Sequence, residues 1–412
     1  MRDGFGRYRC KDGEQYEGYW KKDKRHGEGE WSHPKGFAYK GEYDSGERNG
    51  QGHASFANGD RYNGWFVKGM REGFGQFVWG DGREYEGDWQ DDKPHGQGRW
   101  SHPNGASYKG AYSRGLHHGH GRFRYENRDI YEGSFVHGKR EGYGQSVWCD
   151  GREYEGEWKD DQPHGKGHWR FPNGDKMEGE CRNGVLHGQA CSRYASGDVY
   201  QGSFVNGVKE GLGTYVWADG RQYEGEWKND MPNGKGRLTL PDGDEHEGEY
   251  RDGLRCGHGR LLSPNGDFYD GWFAQGRKEG YGKIVCGDGT EYEGDWQQDQ
   301  PHGKGSWRRP RASHGTLLWD CYEGSFVCGK KQGFGKFVGC DGQQYEGEWR
   351  DNQRHGVGYW QHPEGGQYQG QHRNGVPSGH GCFTRPDGSV LHDGLWENGA
   401  PITPPFGNPL LY

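Results

Sequence analysis

A tyrosine recurs every 23 residues over most of this chain of 412 residues. The register holds through twelve steps from Tyr16 to Tyr292, with Met177 and His246 as the members that are not tyrosine. After one step of 30 residues to Tyr322, the 23-residue step resumes. Self-similarity at a short fixed period is typical of repeat architectures, in which each unit packs against its neighbours. We therefore expect about seventeen units, the last of them degenerate around Leu391.

The unit EYEGDWQDDKPHGQGRWSHPNG illustrates the local structure that we expect throughout. Aromatic and glycine residues alternate with acidic residues over 84–89, which is the period of a β-strand. A turn region follows at 90–95, and residues 96–100 alternate again as a second strand. The unit closes at Asn104 and Gly105, a dipeptide typical of turns between strands. Each unit is therefore predicted to be a β-hairpin.

Glycines inside the predicted strands need an explanation, because a glycine weakens a strand. One glycine of the first strand lies between two aromatic residues, and Gly96 and Gly98 occupy the same face of the partner strand. We expect the rings to lie flat across this bare backbone, so that they are buried without a second layer. The positions concerned include Tyr85, Gly87 and Trp89, Tyr154, Gly156 and Trp158, and Tyr223, Gly225 and Trp227.

The residue four positions after the repeated tyrosine cycles through three aromatic types, beginning with Trp20, Tyr43 and Phe66. Three units therefore form a larger repeat of 69 residues. Residues 1–15 match the second half of a Phe-type unit, so the chain begins with a half-unit that either caps the sheet or remains from a longer parent chain. The predicted fold is all-β: an elongated rod of consecutive antiparallel β-hairpins forming one twisted sheet.

The step of 30 residues marks a break at which one unit is missing and a short insertion stands in its place. We divide the chain accordingly into a repeat array at 1–307 (half-unit cap 1–15 and thirteen units from Tyr16), an insertion or irregular linker at 308–315, continued repeats at 316–397, and a Pro-rich C-terminal tail at 398–412.

We expect a specific partner to bind where the repeat is broken, because identical units do not distinguish one binding position from another. The insertion is expected to kink or offset the rod and to contact an acidic partner, with a passive linker as the alternative. The tail suits an extended segment docking on an apolar surface, with a disordered end as the alternative. The candidate partner-binding residues are Arg308, Arg309 and Arg311 in the insertion, and Phe406, Leu410, Leu411 and Tyr412 in the tail.

Charge and composition exclude several classes of function. The chain has 53 basic and 61 acidic residues, a net charge of −8 with both signs mixed, so neither nucleic acid nor an anionic membrane is an expected partner. A mean hydropathy of −1.30 and the lack of a long apolar run exclude a spanning segment. Ten cysteines without a CxxC pair favour a reducing, intracellular compartment.

Residues that could bind a metal ion or a phosphate are better explained as positions of the repeat than as parts of a metal or phosphate site. Histidines in His-Gly-x-Gly recur three units apart, as at His95 and His164, which is about 29 Å at the spacing of strands and too far for one metal ion. Glycine pairs such as Gly73 and Gly75 lack the helix that a phosphate-binding loop needs. We therefore expect no catalytic residue, no cofactor and no metal, and we do not expect an enzyme.

The pattern Y-x-G-x-[WF]-x(6)-G-x-G, as in YEGEWKDDQPHGKG from Tyr154, resembles the MORN repeat. The resemblance extends over nearly all of the chain, with departures at Met177, Cys181, His246 and His372. It implies a rod of hairpins used as a scaffold. In MORN-containing enzymes the catalysis resides in an appended domain, which this sequence does not show.

Three classes of function compete at this point. We favour a non-catalytic structural scaffold that binds several protein partners or a second copy of itself in a cytoskeletal assembly. Chains made almost wholly of MORN repeats look like those of ciliary radial-spoke heads and of protist cortical scaffolds, so we expect a cytoplasmic location at the axoneme of a cilium or flagellum. The alternatives are a membrane-associated lipid-binding tether and the regulatory MORN region of a larger enzyme.

Overall fold

The computed structural model describes residues 1–313 and 316–402, with the backbone alone at Ser313 and Thr316. Within these residues there is no helix, and the chain forms 35 β-strands. The chain divides into two compact bodies, Met1–Val208 and the residues from Lys209 onward. We refer to them as the N-terminal and C-terminal bodies.

The N-terminal body is an antiparallel sheet in which each strand pairs with the strands before and after it in sequence. Its strands are β1 Gly4–Arg9, β2 Gln15–Lys21, β3 Lys24–His33, β4 Phe37–Asp44, β5 Glu47–Ser55, β6 Arg61–Val67, β7 Met70–Val78, β8 Glu84–Gln90, β9 Lys93–Ser101, β10 Ser107–Ser113, β11 Leu116–Arg124, β12 Ile130–Val136, β13 Lys139–Val147, β14 Glu153–Lys159, β15 Gln162–Arg170, β16 Lys176–Arg182, β17 Val185–Arg193 and β18 Val199–Val205.

The C-terminal body repeats this sequential antiparallel pairing. Its strands are β19 Val208–Val216, β20 Gln222–Lys228, β21 Met231–Thr239, β22 Glu245–Arg251, β23 Leu254–Leu262, β24 Phe268–Ala274, β25 Arg277–Val285, β26 Glu291–Gln297, β27 Gln300–Ser313, β28 Thr316–Val327, β29 Lys330–Val338, β30 Gln344–Arg350, β31 Gln353–Gln361, β32 Gln367–Arg373, β33 Val376–Thr384, β34 Val390–Glu397 and β35 Ala400–Pro401. The prediction of an all-β fold made of consecutive antiparallel hairpins is therefore confirmed.

Each hairpin is closed by a turn of two residues, tighter than the turn region predicted at 90–95. Between β8 and β9 the turn is Asp91 and Asp92, with φ of 49° and 63°. Two successive positive φ values match the right-handed twist of the flanking strands. The strand therefore resumes at Lys93, three residues earlier than expected. The turn between units holds Gly105 at φ 94°, as predicted.

The core of each body lies on the face of the sheet that carries Tyr85, Gly87 and Trp89, which we call the ring face. Tyr85 is 1% exposed, and its ring packs edge-on against Trp89 in its own strand (5.1 Å between ring centroids) and against Tyr112 in the next unit (5.2 Å). Such edge-to-face pairs are each worth about 0.5–1.5 kcal/mol beyond the area they bury. A sheet of one layer can therefore have a core.

These two contacts repeat from unit to unit and form what we call the aromatic ladder. In the N-terminal body it runs from Tyr16 to Trp158. In the C-terminal body it runs from Tyr223 to Trp396. The opposite face, which carries Glu86 and Asp88, is the outer face.

The segment predicted to be an irregular linker at 308–315 is mostly strand instead. Strands β27 and β28 pair through eleven successive residue pairs without a shift of register. The neighbouring strands reach only Arg308 and Cys321, so residues 309–313 and 316–320 extend beyond them as a two-stranded arm. Pairing the two runs satisfies their backbone hydrogen bonds, which an open loop would leave to water. The ladder continues at the base of the arm, where Tyr292 meets Phe326 at 5.0 Å.

Candidate protein-interaction surfaces

The strand glycines are required by the rings, as the sequence predicts. A Cβ atom on Gly98 would lie 2.5 Å from Oη of Tyr85, and one on Gly87 would lie 2.5 Å from Cα of Gly98. The expectation is wrong for Gly96, which has φ of +60° and would direct a Cβ to 2.5 Å from Oδ2 of Asp88 on the outer face. A shift of register between Gly87 and Trp89 turns this glycine away from the rings.

In many units the tyrosine hydroxyl and the tryptophan indole N–H of the ladder have backbone partners. The Tyr85 hydroxyl donates to the carbonyl of Asp88 at 2.8 Å, and Nε1 of Trp89 donates to the carbonyl of Gly75 in the preceding hairpin at 3.0 Å. The same pair of bonds recurs at Tyr154 and Trp158 (2.9 and 3.0 Å), and at Tyr223 and Trp227 (3.1 and 2.9 Å). The predicted structural positions therefore couple each hairpin to the one before it.

A cation covers the ladder in many units. The Arg71 guanidinium lies 4.2 Å from the Trp89 ring centroid, and its Nε donates to Oδ1 of Asp92 at 3.0 Å. Cations over aromatic faces are stabilised by the ring quadrupole. In the equivalent position Lys331 has its ammonium 4.5 Å from the Trp307 ring, and the residue in place of Asp92 is Asn352. Burial among the rings lowers the pKa of Lys331 to about 8.

Burial in the ladder also shifts the titration of its tyrosines and histidines. It raises the pKa of Tyr108 to about 12, and it lowers the pKa of His117, His246 and His372 to about 4. Desolvation of the charged form is the main cause in all four. Perturbed pKa values can mark a functional site, but here they follow the packing of the repeat from unit to unit.

Two of the four departures, His246 and His372, keep the ladder, and the other two interrupt it within one unit. His246 packs edge-on against Phe273 at 4.8 Å, and His372 packs against Tyr345 at 5.0 Å, so both histidines act as ladder rings. Met177 and Cys181 supply no ring. At this unit the strand glycine is replaced by Ala190, a departure that the sequence analysis missed although it is visible in the sequence as HGQA.

The arginines predicted to meet a partner are mostly engaged within the arm and at its base. Nη2 of Arg308 donates to both carboxylate oxygens of Glu291 at 2.8 and 2.7 Å, and Nε of Arg311 donates to Oδ2 of Asp320 at 3.0 Å. Arg309 is exposed. The arm also exposes Leu317, at 60%. An exposed apolar side chain thus accompanies the basic residues that the sequence singled out.

The tail residues predicted to dock, Phe406, Leu410, Leu411 and Tyr412, lie outside the residues that the structure describes. Within the described ranges, no group of three or more His, Cys, Asp or Glu side chains could hold a metal ion. No helix long and apolar enough to cross a membrane occurs in those same ranges.

The outer face carries exposed apolar side chains that the sequence analysis did not single out. They occupy one position of the second strand in Phe-type units, where a single side chain stands between two glycines. The 69-residue period is the signal that would have found them. In the five complete Phe-type units they are, with their exposed fractions, Phe74 57%, Tyr143 60%, Leu212 69%, Tyr281 55% and Phe334 57%. We call these five residues the outer row. The half-unit has Phe5 at the same position, 63% exposed, but it lies across from Tyr19 and not from a carboxylate.

Seventeen segments of the chain match the model of the MORN repeat, from residues 1–15 through 368–390. The chain belongs to the MORN-repeat family. The match includes the half-unit at 1–15 and stops short of the degenerate unit around Leu391. This family is consistent with a protein-interaction or membrane-binding scaffold.

Two of the solved structures that match this MORN-repeat chain are remote from it in sequence. A SAS-4 (dCPAP) TCP domain from Drosophila melanogaster, in complex with a proline-rich motif of Ana2 (dSTIL), is 18% identical with a TM-score of 0.26, covering 38% of this chain and 84% of that one. A streptogramin B lyase is 14% identical with a TM-score of 0.12, covering 75% of this chain and 91% of that one. No curated protein matches the chain.

Proposed function

We propose that this protein is a non-catalytic scaffold that holds protein partners in a cytoskeletal assembly. The observation that carries the proposal is the use of the ring face. In both bodies the rings of the ladder pack against one another, hydroxyl groups such as that of Tyr85 and indole groups such as that of Trp296 donate to backbone carbonyls, and cations such as Arg71 cover the rings. The chemistry of the repeat is thus committed to packing, and the outer face and the arm are left as binding surfaces.

Within that class we propose the axoneme of a cilium or flagellum as the setting. The support is the resemblance of chains made almost wholly of MORN repeats to those of ciliary radial-spoke heads. A net charge of −8 further supports protein partners over nucleic acid or an anionic bilayer. A homodimer is compatible with this proposal.

Affinity capture of the full chain from its source cell, followed by mass spectrometry, tests the proposal. Recovery of axonemal proteins is the expected result. Recovery of membranes alone, together with co-sedimentation of the purified chain with phosphatidylcholine–phosphatidylserine vesicles at physiological salt, would overturn it in favour of a lipid tether.

The contribution of the arm is tested in the same capture with Arg309→Glu combined with Leu317→Ser. Both side chains are exposed and lie outside the ladder, so the fold should be retained. Loss of one subset of partners would assign that subset to the arm. An unchanged set of partners would remove the arm from the binding surface. Gln97→Ser, an exposed change on the outer face of another unit, is the control.

A further inference from the structure

The outer row has a regular acidic setting. Each member lies directly across from a carboxylate on the next strand: Phe74 from Asp88, Tyr143 from Glu157, Leu212 from Glu226, Tyr281 from Asp295 and Phe334 from Glu348. A second acidic residue lies two positions earlier on that strand in every case, as Glu86 does before Asp88. Each exposed apolar side chain therefore stands beside two carboxylates.

The acidic side chains also orient the rings of the two tyrosines. The hydroxyl of Tyr143 donates to Oε1 of Glu155 at 2.9 Å, and the hydroxyl of Tyr281 donates to Oε1 of Glu293 at 2.9 Å. Each bond joins one strand to the next across the outer face. The rings are thus held against the sheet with one face toward solvent, an arrangement that suits the aliphatic stem and charged head of Arg or Lys.

The spacing of the row is fixed by the sheet. Phe74 in β7 and Tyr143 in β13 are six strands apart in the N-terminal body, which is about 29 Å at the usual distance between strands. In the C-terminal body the missing unit brings Tyr281 in β25 and Phe334 in β29 to four strands apart, or about 19 Å. These two side chains line one groove of about 540 Å³ together with Lys304, Glu323 and Lys336.

At about 19–29 Å apart, the members of the row in one body do not form a contiguous apolar patch, so each of them is a separate contact for an extended partner. We propose that within each body the outer row is a docking surface for a basic, amphipathic protein segment that contacts the successive members of the row in that body. Apolar side chains of the segment cover the row, and its Arg or Lys residues meet the adjacent carboxylates. The proposal rests on the proposed scaffold function and names the chemistry of one class of partner.

Two labelled synthetic peptides test this proposal by fluorescence anisotropy with the full chain. One alternates Leu with Arg, and the other alternates Leu with Glu. The Leu–Arg peptide should bind at physiological salt and weaken as salt is raised, because the carboxylates are solvent-exposed. Equal binding of the Leu–Glu peptide would overturn the proposal. So would failure of the Leu–Arg peptide to bind while the chain binds phosphatidylcholine–phosphatidylserine vesicles.

The matched variants replace side chains at one position of the repeat. Replacing all five members of the outer row with serine should weaken binding of the Leu–Arg peptide by at least about 10-fold, as loss of central apolar contacts does at other interfaces. Gln51→Ser, Gln97→Ser and Gln189→Ser change the same position in other units and should leave binding unchanged. Thermal melting should be near that of the parent for both sets, since all of these side chains are exposed. Full affinity in the fivefold variant would overturn the proposal.

Two Leu–Arg segments joined by a flexible linker test whether two members of the outer row can bind one partner at the same time. A linker that spans about 29 Å lets both segments bind at once, and the gain in affinity over one segment should reach about 100-fold. Absence of any gain would show that the row does not act as a series. If captured cellular partners are retained by the fivefold variant, the scaffold proposal stands and this one fails. If the parent chain captures no protein, the scaffold proposal itself fails.

Discussion

The hairpin β10–β11 and the hairpin β16–β17 lie at the same phase of the 69-residue repeat, yet only the first carries the aromatic ladder. In β10–β11, Tyr108 packs edge-on against Tyr112 at 5.1 Å and stacks on His117 at 3.8 Å. In β16–β17 the corresponding residues are Met177, Cys181 and Leu186. Both hairpins nevertheless keep the same pairing and the same shift of register.

The difference teaches that the glycine requirement depends on the ring above it. A Cβ on Gly121 would lie 2.5 Å from Cζ of Tyr108, so no other residue fits there. Ala190 fills the same position in β17, where Met177 replaces the tyrosine. A flexible thioether can move aside for one methyl group, which a rigid ring cannot do. Backbone pairing therefore sets the hairpin, and the ring sets which side chains it tolerates.

The largest expected effect comes from a branched side chain under the ring. Gly121→Val should lower the free energy of unfolding by about 3 kcal/mol, because the added methyl groups displace Tyr108 and, through it, the ladder. Ala190→Val in the interrupted hairpin should cost about 1 kcal/mol. Denaturant unfolding of the two variants checks this. Equal losses would mean that the ring does not impose the glycine.

The coupling between ring and glycine is the next largest effect. Gly121→Ala alone should destabilise the chain by about 2 kcal/mol, and Tyr108→Met should recover about 1–2 kcal/mol of that loss when the two are combined. A double-mutant cycle measures the coupling energy. Phe123→Leu, in the same hairpin and not over Gly121, provides a control that should show no recovery. If the losses of stability caused by Gly121→Ala and Tyr108→Met simply add, the tyrosine ring is not what requires the glycine.

Lowering the pH should destabilise the hairpin β10–β11 more than the hairpin β16–β17, because the first has His117 where the second has Leu186. Burial lowers the pKa of His117 to about 4, so the neutral form is favoured in the fold. Its contribution is fully present above about pH 6.5 and is lost as the pH falls toward 4, because the unfolded chain binds the proton first. Partial exposure limits the effect to roughly 1–2 kcal/mol.

His117→Leu should therefore remove part of the loss of stability between pH 7 and pH 4. Chemical unfolding of the parent and the variant at both pH values measures the difference. The matched change Leu186→His should introduce a new acid-sensitive loss in the interrupted hairpin. If the parent chain and His117→Leu lose the same free energy of unfolding between pH 7 and pH 4, His117 does not stay neutral in the fold.

The smallest effect should come from restoring the ladder. Met177→Tyr combined with Cys181→Tyr and Ala190→Gly completes the ring contacts to Tyr154. The new edge-to-face pairs stabilise the fold, and the conformational entropy of the added glycine cancels part of that gain, so the net stabilisation should be about 1 kcal/mol. Met177→Tyr with Ala190 retained should be destabilising instead. Thermal melting of both variants distinguishes them, and a gain with Ala190 in place would show that the methyl group is not in the way.

Much of the fold could be predicted from residues in one unit. The alternation around Tyr85, Gly87 and Trp89 identified the strand and the face that is buried, because side-chain direction in a strand follows directly from the sequence. The turn glycine Gly105 was equally predictable from its dipeptide. The arm at 309–320 was not, since a run broken by proline and arginine gives no clear period until its two halves pair.

The candidate surfaces were harder to predict than the core. The sequence pointed to Arg308 and Arg311, and their ion pairs with Glu291 and Asp320 appear only when the strands are placed side by side. Phe74 and Tyr143 were not singled out by the sequence analysis. Alternation with Gly75 and Gly144 places both on the outer face, where the structure leaves them 57% and 60% exposed.

The sequence by itself determined the hairpin, its 23-residue period and the aromatic and glycine positions, because these depend on alternation and turn chemistry within one unit. Tertiary structure decided which rings meet, that His246 and His372 pack as members of the ladder, and which apolar side chains remain exposed on the outer face. Those outcomes depend on contacts between units, and the distance between two side chains in neighbouring hairpins is set by strand pairing and register.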